Sequence, residues 1–333
     1  MSARGLALVV GALALALGVG IGVTHAAFSS TTTSPSNYTS DTRYDGLRLA
    51  TGSYTGNGAD GRKITSPNFR PDVVIIKADT AQIGVIRTST MSGDATKLLS
   101  GGTALSTNHI ESLDESGFTV GTNARVNSSG VTYQWVALKS ESLTLKVGTY
   151  TGSGVARSIT GVGFSPSFVA VMGAGATAPV LRMTGMTRAF AFDSGTGSTT
   201  QITSLDANGF SLGTDSAVNT NGTAYHYIAF EDATGTSKVG TYTGNATAGR
   251  SITGTGFQPS FVLVRANDTA TSRAGRQRPA SLTGTNSQGF NALANVTTSI
   301  TALQSNGFQV GNDASVNANS VAYYYLTLKD VGP

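Results

Sequence analysis

An internal repeat constrains this chain more than any other feature. Lys-Val-Gly-Thr-Tyr-Thr-Gly stands at residues 146–152 and again at 238–244, and Gly-Ser-Tyr-Thr-Gly at 52–56 begins a third copy. The tyrosines Tyr54, Tyr150 and Tyr242 are 96 and then 92 residues apart. Each is followed by an arginine (Arg62, Arg157, Arg250), by an isoleucine two positions later (Ile64, Ile159, Ile252), and then by a Phe-x-Pro pair. The second half of each copy is spaced more rigidly. Phe118, Phe210 and Phe308 each follow a glycine; Asn127, Asn219 and Asn317 come nine residues later, and Tyr133, Tyr225 and Tyr323 six after those. A period this long exceeds that of a solenoid unit, so each copy is a domain with a core of its own. The repeats are expected at residues 51–140, 146–232 and 238–330.

Each copy reads as β. Short runs such as Val73–Ile76, Phe168–Val171 and Phe261–Val264 follow a proline and are rich in apolar and β-branched residues. The last strand alternates with period two: Tyr133, Trp135 and Ala137 on one face, Val136 and Leu138 on the other. Apolar residues on both faces call for a second sheet on one side and a neighbour or loop on the other. Glycine and asparagine clusters mark hairpin turns. The fold class predicted is all-β: three tandem antiparallel β-sandwich domains, jelly-roll-like, after an N-terminal apolar leader helix. The short linkers Ser140–Leu145 and Ala233–Ser237 imply that neighbouring domains touch.

Residues 1–26 read as a secretory signal peptide, with Arg4 before an apolar run and cleavage between Ala26 and Ala27; an uncleaved membrane anchor is the alternative. Residues 27–50 form a Ser/Thr-rich extended segment. The junction Thr24 to Asn37 (Thr-His-Ala-Ala-Phe-Ser-Ser-Thr-Thr-Thr-Ser-Pro-Ser-Asn) resembles the leaders of SipW-dependent exported proteins of the TasA and camelysin type. That resemblance covers residues 1–40 and implies export by a dedicated signal peptidase, with fibre assembly as a further implication. Residues 50–330, through Tyr-Thr-Gly, Gly-Phe-x-Pro and Gly-Phe…Val-Asn…Tyr, resemble β-sandwich modules repeated in phage tail-fibre and virion-associated proteins. This second resemblance implies surface recognition or a structural spacer.

The chemistry of the chain is sparse. Zero cysteines among 333 residues exclude disulfides, cysteine zinc sites and thiol catalysis. With 12% charged residues and a net charge of +4, nucleic acid is not expected as a partner. His109 and His226 do not recur between copies, and Asp114 and Asp206 read as turn residues bonding their own backbone. No enzymatic activity, cofactor or metal is expected. The recurring Tyr, Phe and Asn residues read as structural. Binding is expected instead in the middle of each copy (78–110, 172–202 and 265–301), where no common pattern is visible. There Arg273, Arg276 and Arg278 in the third copy and Arg182 and Arg188 in the second are candidate contacts for anionic surface glycans. The chain is therefore expected to be secreted or displayed at the cell surface as a non-enzymatic structural or adhesive protein. Its partners would be itself or other surface proteins, and the membrane only through an uncleaved leader. The alternative is a glycan-binding receptor-recognition protein of the tail-fibre type.

Overall fold

A computed structural model describes residues 47–140, 144–270 and 273–330. The leader helix, the cleavage site at Ala26 and Ala27, and residues 27–46 lie outside the described residues. The first repeat contains β1 (Arg48–Thr55), β2 (Arg62–Ile64), β3 (Val73–Ala78), β4 (Val85–Thr88), β5 (Lys97–Leu98), β6 (Ile110–Asp114), β7 (Gly117–Val120), the single helical turn α1 (Ala124–Asn127) and β8 (Thr132–Lys139). They form one five-stranded sheet, β1-β8-β3-β4-β5, and one three-stranded sheet, β2-β7-β6. The same two sheets recur in both other repeats, whose first strands are Leu145–Thr151 and Ser237–Thr243. All strand pairs are antiparallel, as the sequence predicts. β1 begins slightly earlier than the sequence suggested. Arg48 pairs with Lys139 and Leu49 is buried, so residues 48–50 belong to the sheet rather than to the extended segment.

The pairings of β1 and β3 with β8, and of β2 with β7, nest the first strands against the last, in jelly-roll fashion. β4 and β5 depart from that scheme by continuing the larger sheet beyond β3, and β6 by joining β7 as a hairpin. Gly52, Gly148 and Gly240 stand directly across from Trp135, Tyr227 and Tyr325. A Cβ on any of the three would come within 2.3 Å of the facing aromatic side chain, so each aromatic covers a glycine of the edge strand.

The two apolar faces of the larger sheet have different destinations. Val74, Ile76, Tyr133, Trp135 and Ala137 point into the sandwich of the first repeat, together with Phe118 and Val120 from the smaller sheet. Val73, Ile75, Val136 and Leu138 point the other way, into a core shared by all three repeats. Among the described residues this shared core holds 26 buried side chains, against 16, 15 and 11 in the sandwich cores, so it is the largest apolar unit of the body. Equivalent positions meet within it, for example Val73, Phe168 and Phe261, or Leu99, Phe192 and Phe290. At roughly 1.5–3 kcal/mol per large buried apolar side chain, separating the repeats would forfeit a term comparable to unfolding one of them.

The repeats close a ring. Leu105 N–H of the first donates to Ala174 O of the second, as Asn295 N–H of the third does to Asp79 O of the first; Gly275 N–H of the third donates to Phe192 O of the second, as Gly84 N–H of the first does to Phe290 O of the third. Each neighbour therefore meets the next through the same segments, which makes the body pseudo-threefold about the shared core. These segments are the middle regions that looked unrelated in sequence. They carry equivalent strands (β4, Val180–Met183, Arg276–Pro279) and equivalent bridges (Thr96 with Ser106, Ala189 with Ser198, Ser287 with Val296). The first and last described stretches lie at the same end, since Arg48, Leu49 and Asp330 border one surface cavity.

Candidate functional site

The recurring motif residues build one polar latch per sandwich. Asn123, Asp215 and Asp313 cap the single helical turn, accepting from Arg125 N, Ala217 N and Ser315 N. Tyr133, Tyr225 and Tyr323 each donate from Oη to the first turn residue's carbonyl (Ala124, Ser216, Ala314) at 2.6–2.7 Å. Each also accepts at 2.8 Å from the N–H that ends the turn (Ser128, Thr220, Ala318). Tyr54, Tyr150 and Tyr242 donate to Val126 O, Val218 O and Val316 O. Burial holds these three phenols well above their ordinary pKa, which keeps them as donors. Asn127, Asn219 and Asn317, all fully buried, tie the turn to the loop after the first strand: Oδ1 accepts from Asn57 N, Ser153 N and Asn245 N, and Nδ2 donates to Ala59 O, Val155 O and Thr247 O. Arg62, Arg157 and Arg250 lie over the tyrosine rings at 5.0–5.5 Å. In each repeat the motif residues are engaged with one another, the helical turn and the first loop.

The candidate arginines do not form a surface site. Arg278 is 6% exposed and donates to Asn286 O, Leu282 O and Gly284 O of its own loop. Arg87 takes the equivalent carbonyls in the first repeat (Ala95, Met91, Gly93), and Arg182 reaches Ile202 O at 2.8 Å. Arg276, also 6% exposed, pairs with Asp313 at 3.3 Å. Burial would raise the Asp313 carboxyl, but hydrogen bonds from Ser299 and Ser315 and the Arg276 charge bring it below its usual value. Arg273 is paired with Asp268, and Arg188 is half-buried. Arg87, Arg182 and Arg278 occupy one register position, and sequence reasoning missed it for a simple reason. The arginine stands 18 residues after Phe69 and Phe164 but 21 after Phe257, so an insertion in the third copy hides the match.

Sequence reasoning also missed a buried cation at each interface. Lys97 is fully buried and donates to Thr103 O of its own repeat and to Gly173 O and Gly175 O of the second, at 2.5–2.9 Å. Lys77, also fully buried, donates to Ala78 O, Thr80 O and, in the third repeat, Leu293 O. Burial pushes both ammonium groups down to about 8. Arg265 spans the remaining interface, donating to Ala191 O and Gly195 O of the second repeat from above the Phe190 ring; burial lowers it to about 10. His226 is likewise an interface residue, with Nδ1 2.8 Å from Thr90 Oγ1 of the first repeat. Burial and the nearby Lys97 lower its pKa, so it is a neutral partner at pH 7.

What stays open is the outer face of the three-stranded sheets. Asp114 and Asp206 do not bond their own backbone, as expected from the sequence, but neighbouring hydroxyls. Asp114 accepts from Ser112 Oγ at 2.7 Å and Thr119 Oγ1 at 2.6 Å, and Asp206 from Ser204 Oγ and Ser211 Oγ, both at 2.7 Å. Beside each carboxylate runs the glycine of the Gly-Phe pair. A Cβ on Gly117, Gly209 or Gly307 would stand 1.9 Å from the carbonyl of Ile64, Ile159 or Ile252, and the last two have φ near +146°. No other residue fits there. Among the described residues no three histidine or acidic side chains gather as metal ligands. Residues 224–330, which take in the last strand of the second repeat and the whole third repeat, match the family model described as Domain of unknown function (DUF7483). A comparison with curated proteins found no match.

Proposed function

We propose that this chain is an exported, non-enzymatic surface or matrix protein whose body is a rigid adhesive or structural head. The observation that carries the reading is the shared core. Three sandwiches fused through one apolar centre hold their outer sheets in fixed relation, as a display scaffold requires and a hinged enzyme does not. The buried cations support it, since Lys77, Lys97 and Arg265 are committed to backbone carbonyls. Cell fractionation with surface protease shaving tests the location, and turnover assays on the purified chain test the absence of catalysis. A chain that stays in the cytosol, or a hydrolase activity lost on replacing one polar residue, would overturn the proposal. Fibre assembly belongs to the same reading. Deleting residues 27–45 should abolish polymers seen by electron microscopy and leave the body folded.

Receptor recognition of the tail-fibre type is a second reading, favoured by the pseudo-threefold arrangement. A head that turns equivalent sheet faces outward on three sides suits repeated, individually weak contacts with a repetitive surface.

A further inference from the structure

Two of the three outer sheets carry the same polar trough, and neither the latches nor the interfaces use it. In the first repeat a cavity of about 470 Å³ opens over Gly117, bounded by Thr65, Asp114 and Ser116, with Lys63 and Arg70 at its rim. In the second, a cavity of about 260 Å³ opens over Gly209 at the equivalent place, bounded by Thr160, Asp206, Asn208 and Ser211. The floor is bare in both because the glycine cannot be replaced. The carboxylate beside it is fixed by two hydroxyls, Ser112 and Thr119 in one case, Ser204 and Ser211 in the other. The third repeat lacks this arrangement as a set, having Ala302, Gln304 and Gln309 at the three positions.

We propose that the troughs over Gly117 and Gly209 bind neutral saccharide chains, an inference that rests on the adhesive reading above and supplies its ligand. An ionised carboxylate offers about four acceptor positions, and the two hydroxyls occupy two. The remainder suit ligand hydroxyls, and orienting the carboxylate in advance removes part of the cost of binding. Thr65, Ser116 and Thr160 add hydroxyls that both donate and accept. Asn208 Oδ1 is taken by Gly163 N, which leaves its amide N–H₂ as a donor. Charge decides against an acidic polymer. Lys63 and Arg70 are balanced by Asp114 and Glu115 in the first trough, and in the second Asp206 stands alone. No candidate arginine lines either trough, and Arg182, Arg273, Arg276 and Arg278 are held by Ile202 O, Asp268, Asp313 and loop carbonyls. Phe118 borders the first trough but is 1% exposed, and no aromatic residue borders the second, so each site should be weak, with Kd on the order of millimolar, and useful only through repetition.

The test is a backbone-amide NMR titration of the chain with maltohexaose, cellohexaose and chitohexaose, and with tetragalacturonate as the anionic comparison. The expected result is saturable shifts at Asp114–Phe118 and Asp206–Phe210 with at least one neutral oligomer. Gln304–Phe308 should stay silent and the galacturonate should bind at least tenfold more weakly. Asp114→Ala with Asp206→Ala should weaken binding at least tenfold, and Ser112→Ala with Ser204→Ala severalfold. The urea midpoint of each variant shows that it is folded. No shift with any neutral oligomer, equal shifts in the third repeat, tighter binding of galacturonate, or binding that survives the double aspartate change would overturn the proposal. A whole-cell adhesion assay separates the two readings. Adhesion that persists in the double variant defeats the troughs and leaves the adhesive head standing, whereas loss of adhesion in the double variant supports both.

Discussion

Replacing Tyr225 by phenylalanine asks whether the three repeats unfold as one body. The Tyr225 side chain is fully buried, donates to Ser216 O at 2.7 Å and accepts from Thr220 N at 2.8 Å. Phenylalanine keeps the ring and its stacking on Tyr150 but loses both bonds and leaves the Thr220 N–H without its acceptor. Two hydrogen bonds at ~1 kcal/mol each, plus part of the cost of an unmet buried donor, give a loss of about 2–3 kcal/mol. With an m-value of ~3 kcal/mol/M, the urea midpoint should fall by about 0.7–1 M. The chain supplies a suitable probe, because its one tryptophan, Trp135, lies in the core of the first repeat while the substitution is in the second. If the shared core couples the repeats, Trp135 fluorescence and far-UV circular dichroism should report the same lowered midpoint. Tyr133→Phe and Tyr323→Phe should shift it by similar amounts. A Trp135 transition that stays at the wild-type midpoint in Tyr225→Phe, while the circular dichroism splits into two steps, would refute the coupling.

Gly209→Ala should destabilise the body by more than ~3 kcal/mol in the same urea assay, because the new Cβ meets the Ile159 carbonyl at 1.9 Å and φ is +147°. Ala170→Val should stabilise the body by up to ~1 kcal/mol, a rise in the urea midpoint of up to ~0.3 M at an m-value of ~3 kcal/mol/M. Ala170 stands where the other repeats have Ile75 and Leu263, beside an apolar cavity of about 30 Å³ lined by all three repeats, and a lowered midpoint would mean that the cavity cannot take the two added methyl groups. Stability should increase from pH 7.5 to pH 9.5. Burial lowers Lys77 and Lys97 from 10.5 to about 8, so above pH 8 the folded state binds fewer protons than the unfolded chain, and each lysine should contribute on the order of 1–2 kcal/mol across that window. Urea titrations at the two pH values check this, and Lys77→Met should reduce the increase by about half.

The parts of the fold that were legible in the sequence are those whose contacts stay inside one repeat. Tyr54 and Tyr133 stack on each other and hold the same helical turn that Asn127 ties to the first loop, with Phe118 in the core beneath, so their spacing is fixed and the repeat is visible in the primary structure. The alternating strand around Trp135 likewise announced a sheet with two buried faces, though not that the second face meets two other repeats at once. The middle segments were illegible because some of their partners belong to a neighbour, as with Lys97 and Leu105, and others are polar groups that leave no apolar pattern. A strand reading Arg-Gln-Arg-Pro has no apolar pattern, yet all four residues of Arg276–Pro279 are buried, since backbone carbonyls and Asp313 neutralise what hydrophobic contact would otherwise supply. An arginine cluster in a loop-like stretch therefore looked like a binding surface. The troughs escaped notice for a different reason. Ser112, Asp114 and Thr119 come together only through the hairpin, and the bulge near Glu111 shifts the register that sequence alternation would assign.

The buried cations show at what level the body is constrained. Lys77 and Arg265 occupy one register position, which is Met172 in the second repeat; Lys97 occupies another, which is Phe190 and Gln288 in the other two. Counted by repeat the cations number two, none and one, which looks like noise between copies. Counted by interface there is one each: Lys97 between the first and second repeats, Arg265 between the second and third, Lys77 between the third and first. Either position can deliver the charge to the same ring of carbonyls. Two cations there would repel one another in a site that water does not reach, and none would leave several carbonyls without a donor. Three identical chains around a true threefold axis would have to place the cation at the same position every time. Joining the repeats in one chain removes that requirement, so each interface could settle on its own side of the contact, and the copies diverge most in sequence where they are most alike in the contact they make.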